Sequence, residues 1–483
     1  MFYLLPHRFR WLLLLGASCF FYMFFKPEYI LIMAFIVLVD YAAGRLMENA
    51  EGKVRKYYLM GSLVANIGLL AVFKYYNVIN DDITGVCALL GYHNTLPYLK
   101  MLLPIGLSFH TFQAMSYTIE VYKGRQRAEK HLGIYALYGM FYPQLVAGPI
   151  ERPANMLPQF HEKKVFEYDN VVQGLRLMLL GFFKKIVLAD RLALYTDAAY
   201  NDPASKGSVA IVAALVLFAF QIYYDFSGYN DIALGAARVM GYKLMDNFNY
   251  PFISKNVSEF WRRWHISLST WFRDYVFYPL VKATRNWGKY SIAIGLFVTF
   301  FLGGIWHNAS WNFIIFGVLE GLVLVYEFLS KPYRVAISQK MPAWLYDTSS
   351  QVLTFIFLIV SWTFFKAKDL PEALIVIKKV PGFFGEAGHF ILHANANTLV
   401  TNMVSVINTD GTIKSIYTLG DIFVLLALVI AAQSISYFER VYGLKERLDQ
   451  MPLFVRWGIY YVVIAAIVVY GSFEGRQFIY FQF

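Results

Sequence analysis

Cysteine is nearly absent from this chain: two residues in 483, Cys19 and Cys87, far apart in sequence. That argues against a disulfide framework and against a thiolate metal site. Charge is scarce too. Asp, Glu, Lys and Arg make up 16% of the residues, whereas soluble domains carry about a quarter. There is no Walker A sequence, no G-x-G-x-x-G and no G-x-S-x-G elbow. Nucleotide-driven pumping and covalent serine chemistry are therefore without support. No cleavable leader is expected, because Pro6-His7-Arg8 passes at once into an apolar run with no small-residue cleavage pattern. Phe2-Tyr3-Leu4-Leu5 reads as the tail of an earlier span. No period suggests a solenoid.

Apolar residues are what the chain has in excess: 58% hydrophobic and 18% aromatic. Their runs are long enough to cross a bilayer, so the expectation is an all-α polytopic membrane protein. The net charge of +11 is read as the Lys/Arg excess of cytoplasmic loops rather than as a nucleic-acid footprint.

The basic clusters order the topology. Residues 11–25 and 29–43 are expected to form a tight helical hairpin. Residues 45–56 are basic and cytoplasmic. Residues 57–73 cross outward, 77–97 form an acidic external loop, and 101–119 return. Residues 132–150 are apolar enough to cross, but 171–188 is also a span, and its Asp-containing downstream loop is expected outside. Parity then requires 132–150 to dip in and return. Its ending, Y-P-Q-L-V-A-G-P-I-E-R-P, suits broken backbone buried in protein. Residues 209–224 return inward to a strongly basic region, within which 260–278 reads as an amphipathic helix at the headgroups or re-entering. Two apolar arms, 290–305 and 311–329, are expected to be separated by Gly303-Gly304 and the turn from His307. Residues 352–365 cross outward, 366–419 form an external loop, 421–437 return and 455–470 cross again.

Two stretches carry the chemistry. One is W-R-R-W-H-I-S-L-S-T-W-F-R-D, residues 261–274; the other is F-L-G-G-I-W-H-N-A-S-W, residues 301–311. A histidine in a membrane run is costly and marks a functional site by default. His307 is the first candidate, as general base toward an acceptor hydroxyl; a structural inter-helix role is the alternative. His265 is the second, to polarise an acyl carbonyl or orient a donor, against an interfacial anchoring role. Lys255, Arg262, Arg263 and Trp264 are expected on the donor side. In Y-Y-D-F-S-G-Y-N-D, Asp225 and Tyr229 share one helix face, as do Ser227 and Asp231. Ion pairing of those acids with the nearby basic region is the plainer role. Arg273, Asp274 and Asn308 are supporting candidates. His110 has no nucleophile near it, and His389 with His393 lacks the H-E-x-x-H pattern, so no metal site is expected.

Taken together, residues 223–231, 261–274 and Trp306-His307 resemble the membrane-bound O-acyltransferase family, in its bacterial polysaccharide-acetylating branch. L-P-I-G-L-S-F (103–109), Q-L-V-A-G-P-I-E-R (144–152) and the Tyr480-Phe481 ending extend the likeness over nearly the whole chain. The resemblance implies one integral-membrane domain, 1–483, with a signature core at about 100–330. It implies a multi-helix bundle around a transmembrane tunnel with re-entrant segments. It maps the family's essential histidine onto His307, and a second signature position, histidine or asparagine in different branches, onto His265. No bound cofactor is implied. Acetyl-CoA is the expected cytoplasmic donor. The expected partners are an extracytoplasmic acetyltransferase or acetyl-acceptor protein, a polysaccharide such as alginate as final acceptor, and the lipid bilayer of the bacterial inner membrane. The rivals are D-alanyl transfer from a carrier protein to teichoic acid and a transporter with a histidine proton relay.

Overall fold

The computed structural model describes residues 2–99, 104–146, 148–308, 310–393, 427–435, 437, 444–473 and 475–479, with backbone alone at 390–393 and 444–446. The Tyr480-Phe481 ending, residues 394–419 of the expected external loop, and residues 421–426 and 436 of the expected return lie outside the described residues. Among those described, the regular elements are all helical. Seven helices are long and apolar enough to cross a membrane: Tyr29–Glu48, Gly52–Leu89, Ser208–Val239, Lys289–His307, Trp311–Leu329, Ala343–Lys366 and Leu453–Tyr470. The chain is an all-α, multi-pass membrane protein. Large apolar side chains such as Leu38, Val64, Leu353 and Val462 stand exposed along these helices, as hydrocarbon solvation allows.

The chain folds as two compact units. The first comprises Met1–Met178, Asn230–Asn247 and Ile266–Lys282; the second comprises Leu179–Tyr229, Phe248–His265 and Ala283–Phe483.

In the first unit, His7–Met23 and Tyr29–Glu48 form the expected hairpin. Its core is aromatic, with Tyr117, Tyr135, Tyr138 and Phe141 fully buried. Residues 132–150 do not make a spanning helix. Leu132–Met140 has nine residues, about 13 Å of rise, less than half the hydrocarbon core. Beyond it the chain turns through buried Gln144, Leu145 and Val146 to Glu151. Side chains satisfy this broken backbone. Gln113 Nε2 and Gln144 Nε2 both donate to Tyr138 O, at 2.6 and 2.9 Å, and Tyr138 Oη donates to Glu151 O. That is the condition under which irregular backbone survives at membrane depth.

The second unit holds a tight hairpin of Lys289–His307 and Trp311–Leu329. Gly303-Gly304 was expected to break the first arm. The helix instead runs unbroken to His307, and Gly304 serves close packing. A Cβ on Gly304 would sit 2.3 Å from Phe313 O and 2.9 Å from Gly317 Cα, so both arms need glycine where they touch. Two glutamates in the second arm staple the Val257–Arg263 helix to it. Glu320 accepts from Trp261 Nε1 at 2.9 Å and Ser361 Oγ at 2.7 Å. Glu327 accepts from the N–H groups of Val257 and Ser258 and from Ser258 Oγ.

Two further expectations change. Ser208–Val239 is one helix of 32 residues, so Tyr223–Asp231 lies within it rather than at the end of a span. The 260–278 segment is not one amphipathic helix. It breaks into Val257–Arg263, Ile266–Phe272, a wide π-type turn at Arg273–Phe277 and Tyr278–Ala283.

Candidate active site

His307 is the last residue of its helix and is buried. Its ring meets Trp306 at 4.9 Å, Phe365 at 5.4 Å, and Phe313 and Phe316 at 6.3 Å, centroid to centroid. Asn308, the next residue, takes extended backbone and ends the helix. The imidazole thus sits in an aromatic box made by both arms of the hairpin and by the short Thr363–Lys366 helix.

His265 stands at the break between Val257–Arg263 and Ile266–Phe272, with φ at 44°. This left-handed conformation strains most side chains, and His and Asn are among the few that take it readily. Local bonds impose the break. Asn249 N–H donates to Arg263 O at 2.9 Å just before it. Just after it, Asn247 accepts from Ile266 N–H through its carbonyl and from Ser267 N–H through its side chain. The imidazole is only 1% exposed and meets the Phe226 ring edge-on at 4.7 Å. Burial holds it below the ordinary histidine value, so it is neutral at neutral pH. An exposed interfacial anchor is not what the structure shows.

Both histidines belong to the second unit, and residues 362–365 pack on His307 and on the tryptophan preceding His265. Trp362 packs on Trp264, next to His265, at 5.0 Å, while Phe365 packs on His307. Beside them runs an ionic network. Lys185 pairs with both Asp190 and Asp225, and Asp197 pairs with both Lys366 and Arg476. Lys185, Asp190, Asp197, Asp225 and Arg476, with Gln221 and Gln477, line a cavity of about 180 Å³.

These features sit on a chain whose relatives can be named. A model of the membrane-bound O-acyltransferase family matches residues 131–366. The peptidoglycan O-acetyltransferase of Helicobacter pylori is 32% identical over 429 residues, covering 81% of this chain and 78% of the relative. The probable alginate O-acetylase AlgI of Pseudomonas aeruginosa is 34% identical over 377 residues, covering 77% and 70%. The chain belongs to the membrane-bound O-acyltransferase family. It is a membrane O-acyltransferase. A third relative, the teichoic acid D-alanyltransferase of Bacillus subtilis, is 31% identical over 291 residues, covering 57% of this chain and 70% of its own.

For a membrane-bound O-acyltransferase the other expected residues divide unevenly. Asp225 and Tyr229 lie with the histidines in the second unit; Asp231, Arg273 and Asp274 lie in the first. Asp225 was expected to pair with the basic region after Arg238, and pairs with Lys185 instead. Arg273 pairs with its neighbour Asp274 at 2.8 Å. Of the donor-side group, Arg262 is exposed. Lys255 is tied to Asp347, Arg263 to Glu259, and Trp264 is buried among Phe248, Phe260 and Trp362. His110 is buried in the first unit, edge-on to Tyr22. His389 is exposed on Phe383–His393, and the His393 side chain lies outside the described residues.

Sequence reasoning missed Lys185, Glu320 and Glu327. The signal was present in each case, an ionisable residue inside an apolar run.

Proposed function

We propose that this enzyme takes an acetyl group from a cytoplasmic thioester, acetyl-CoA, and delivers it to a hydroxyl acceptor on the outer side of a bacterial cytoplasmic membrane. The end result is O-acetylation of an extracytoplasmic polysaccharide such as alginate, reached through an extracytoplasmic acetyltransferase or acetyl-acceptor protein. The observation that carries this is the burial of His265 and His307 in one unit, each against aromatic rings, Phe226 on His265 and Phe365 on His307. His307 accepts the proton of the acceptor hydroxyl as the oxygen attacks the acyl carbonyl. His265, neutral and fixed in orientation, contacts the carbonyl or the donor. The thiolate of the donor leaves and takes up a proton. Arg262, exposed on the basic Val257–Arg263 helix, offers a charge-assisted contact to the donor's phosphates.

Relatives named as O-acetylating enzymes support the acetyl reading, and the related D-alanyltransferase supplies the comparison arm. Purified protein in liposomes is given labelled acetyl-CoA and, separately, a D-alanyl-loaded carrier protein. Acetyl transfer or hydrolysis that falls by about 10³-fold or more in His307→Ala is the expected result. Turnover of the carrier protein alone, or full activity in an inserted His307→Ala variant, overturns the reading.

A further inference from the structure

The ionic network has a use that neither histidine explains. It captures the C-terminal segment. Ile479 N–H donates to Asp225 Oδ2 at 2.7 Å, while Lys185 holds the other carboxylate oxygen. Three residues earlier, Arg476 donates to Asp197 Oδ2 at 2.6 Å, and Lys366 holds Asp197 Oδ1. Two carboxylates, each shared with a lysine, therefore grip the tail at two points. Between the grips, Phe478 stacks on Tyr229 at 5.2 Å and leans on Phe226 at 5.7 Å. Phe226 is the residue whose ring touches His265. At the other end, Lys366 directly follows Phe365, which touches His307.

Stability alone gives little reason to keep such a network. Burying charges costs desolvation that pairing seldom more than repays, and well-packed apolar residues do as well. Precise placement is the better reason, since catalytic geometry is set by the groups that hold the reacting side chains.

We propose that Asp225 and Asp197 are positioning residues that latch residues 475–479 across the polar cavity and so hold the aromatic walls of both histidines. This rests on the catalytic reading of His265 and His307. The latch acts through the tail: Asp225 through Phe478 and Phe226 on His265, Asp197 through Lys366 and Phe365 on His307. Asp225 and Asp197 touch no reacting atom.

The test uses the full chain in liposomes with labelled acetyl-CoA, alongside diethyl pyrocarbonate modification of His265 read by mass spectrometry. Asp225→Ala is expected to lower kcat by about 10- to 100-fold, as a misplacement of about 1 Å does. The donor KM stays within about twofold, and His265, unreactive in the parent, becomes modified. Asp225→Asn, which keeps an acceptor for Ile479 N–H, recovers part of both. Arg476→Gln, at the more exposed grip, serves if Asp225→Ala fails to fold; it shifts the same readouts less. Parental kcat with an unreactive His265 in either variant overturns the latch. If His265→Ala and His307→Ala themselves keep full transfer, the catalytic reading falls, while His265 reactivity in Asp225→Ala still reports on the latch.

Discussion

His265 carries a constraint that composition could not announce. Its polarity in an aromatic–basic stretch was visible in the sequence, and its φ of 44° was not. The left-handed turn depends on Asn247 and Asn249, some 16–18 residues upstream, and pairings of that range leave no local signature. The conformation makes a specific prediction. His265→Asn, whose side chain tolerates the left-handed region, should unfold near the parental temperature in detergent. His265→Val should be destabilised by at least about 1–2 kcal/mol, because a β-branched residue meets the preceding carbonyl there. Thermal unfolding of the two purified variants measures this directly, and equal midpoints would dissociate the site from backbone strain. His307 was the more legible of the pair, since a histidine at the end of an apolar run stands out by desolvation cost alone. Lys185 and Asp225 show the limit of that logic. Each was readable as a charge in an apolar segment, and their mutual pairing across 40 residues of chain was not.

Among elements, the broken ones were harder to read than the straight ones. Hydropathy gave the arms of the 289–329 hairpin to within a few residues, because a long apolar run has few other outcomes. It also suggested that Gly303-Gly304 was a break. Glycine in a membrane helix has two uses, a kink or a close approach, and sequence does not choose between them. The structure chooses close approach: a Cβ at Gly304 would meet Phe313 O at 2.3 Å, a backbone atom that cannot rotate away. Gly304→Val is therefore expected to push the two arms apart, at a cost of about 1–3 kcal/mol from overpacking. It also shifts His307, three residues on, against Phe313 and Phe316. Acyl transfer should fall by at least about tenfold even in protein that still inserts and purifies as a single species. Gly61→Ala, within Gly52–Leu89, is the control, since a Cβ there meets nothing within 4 Å and should change transfer far less. A Gly304→Val enzyme with parental turnover would show that the hairpin spacing does not set the position of His307. Residues 132–150 were legible as non-spanning for a different reason. Proline and glycine density told against a span, and parity among the charged loops required a return.

At the scale of the whole molecule, the direction of transfer rests on which ends of the helices face the cytoplasm. The positive-inside argument places Lys53, Arg55 and Lys56 inside, together with Lys331 and Arg334. Gly52–Leu89 then makes the strongest geometric statement in the chain. Its 38 residues rise about 57 Å, nearly twice the hydrocarbon thickness. Its far end, carrying Asp81, Asp82 and half-exposed Cys87, must stand clear of the bilayer on the side opposite Lys53. The scarcity of cysteine makes this testable with little engineering. In a Cys19→Ser background, a membrane-impermeant maleimide added to intact spheroplasts should label Cys87. In a chain with both native cysteines replaced by serine, Lys331→Cys should be labelled only after the membrane is permeabilised. Protection of Cys87 with labelling of Lys331→Cys would invert the topology. It would also place the basic Val257–Arg263 helix outside, away from any cytoplasmic thioester, and the proposed route from an inner donor to an outer acceptor would have to run the other way.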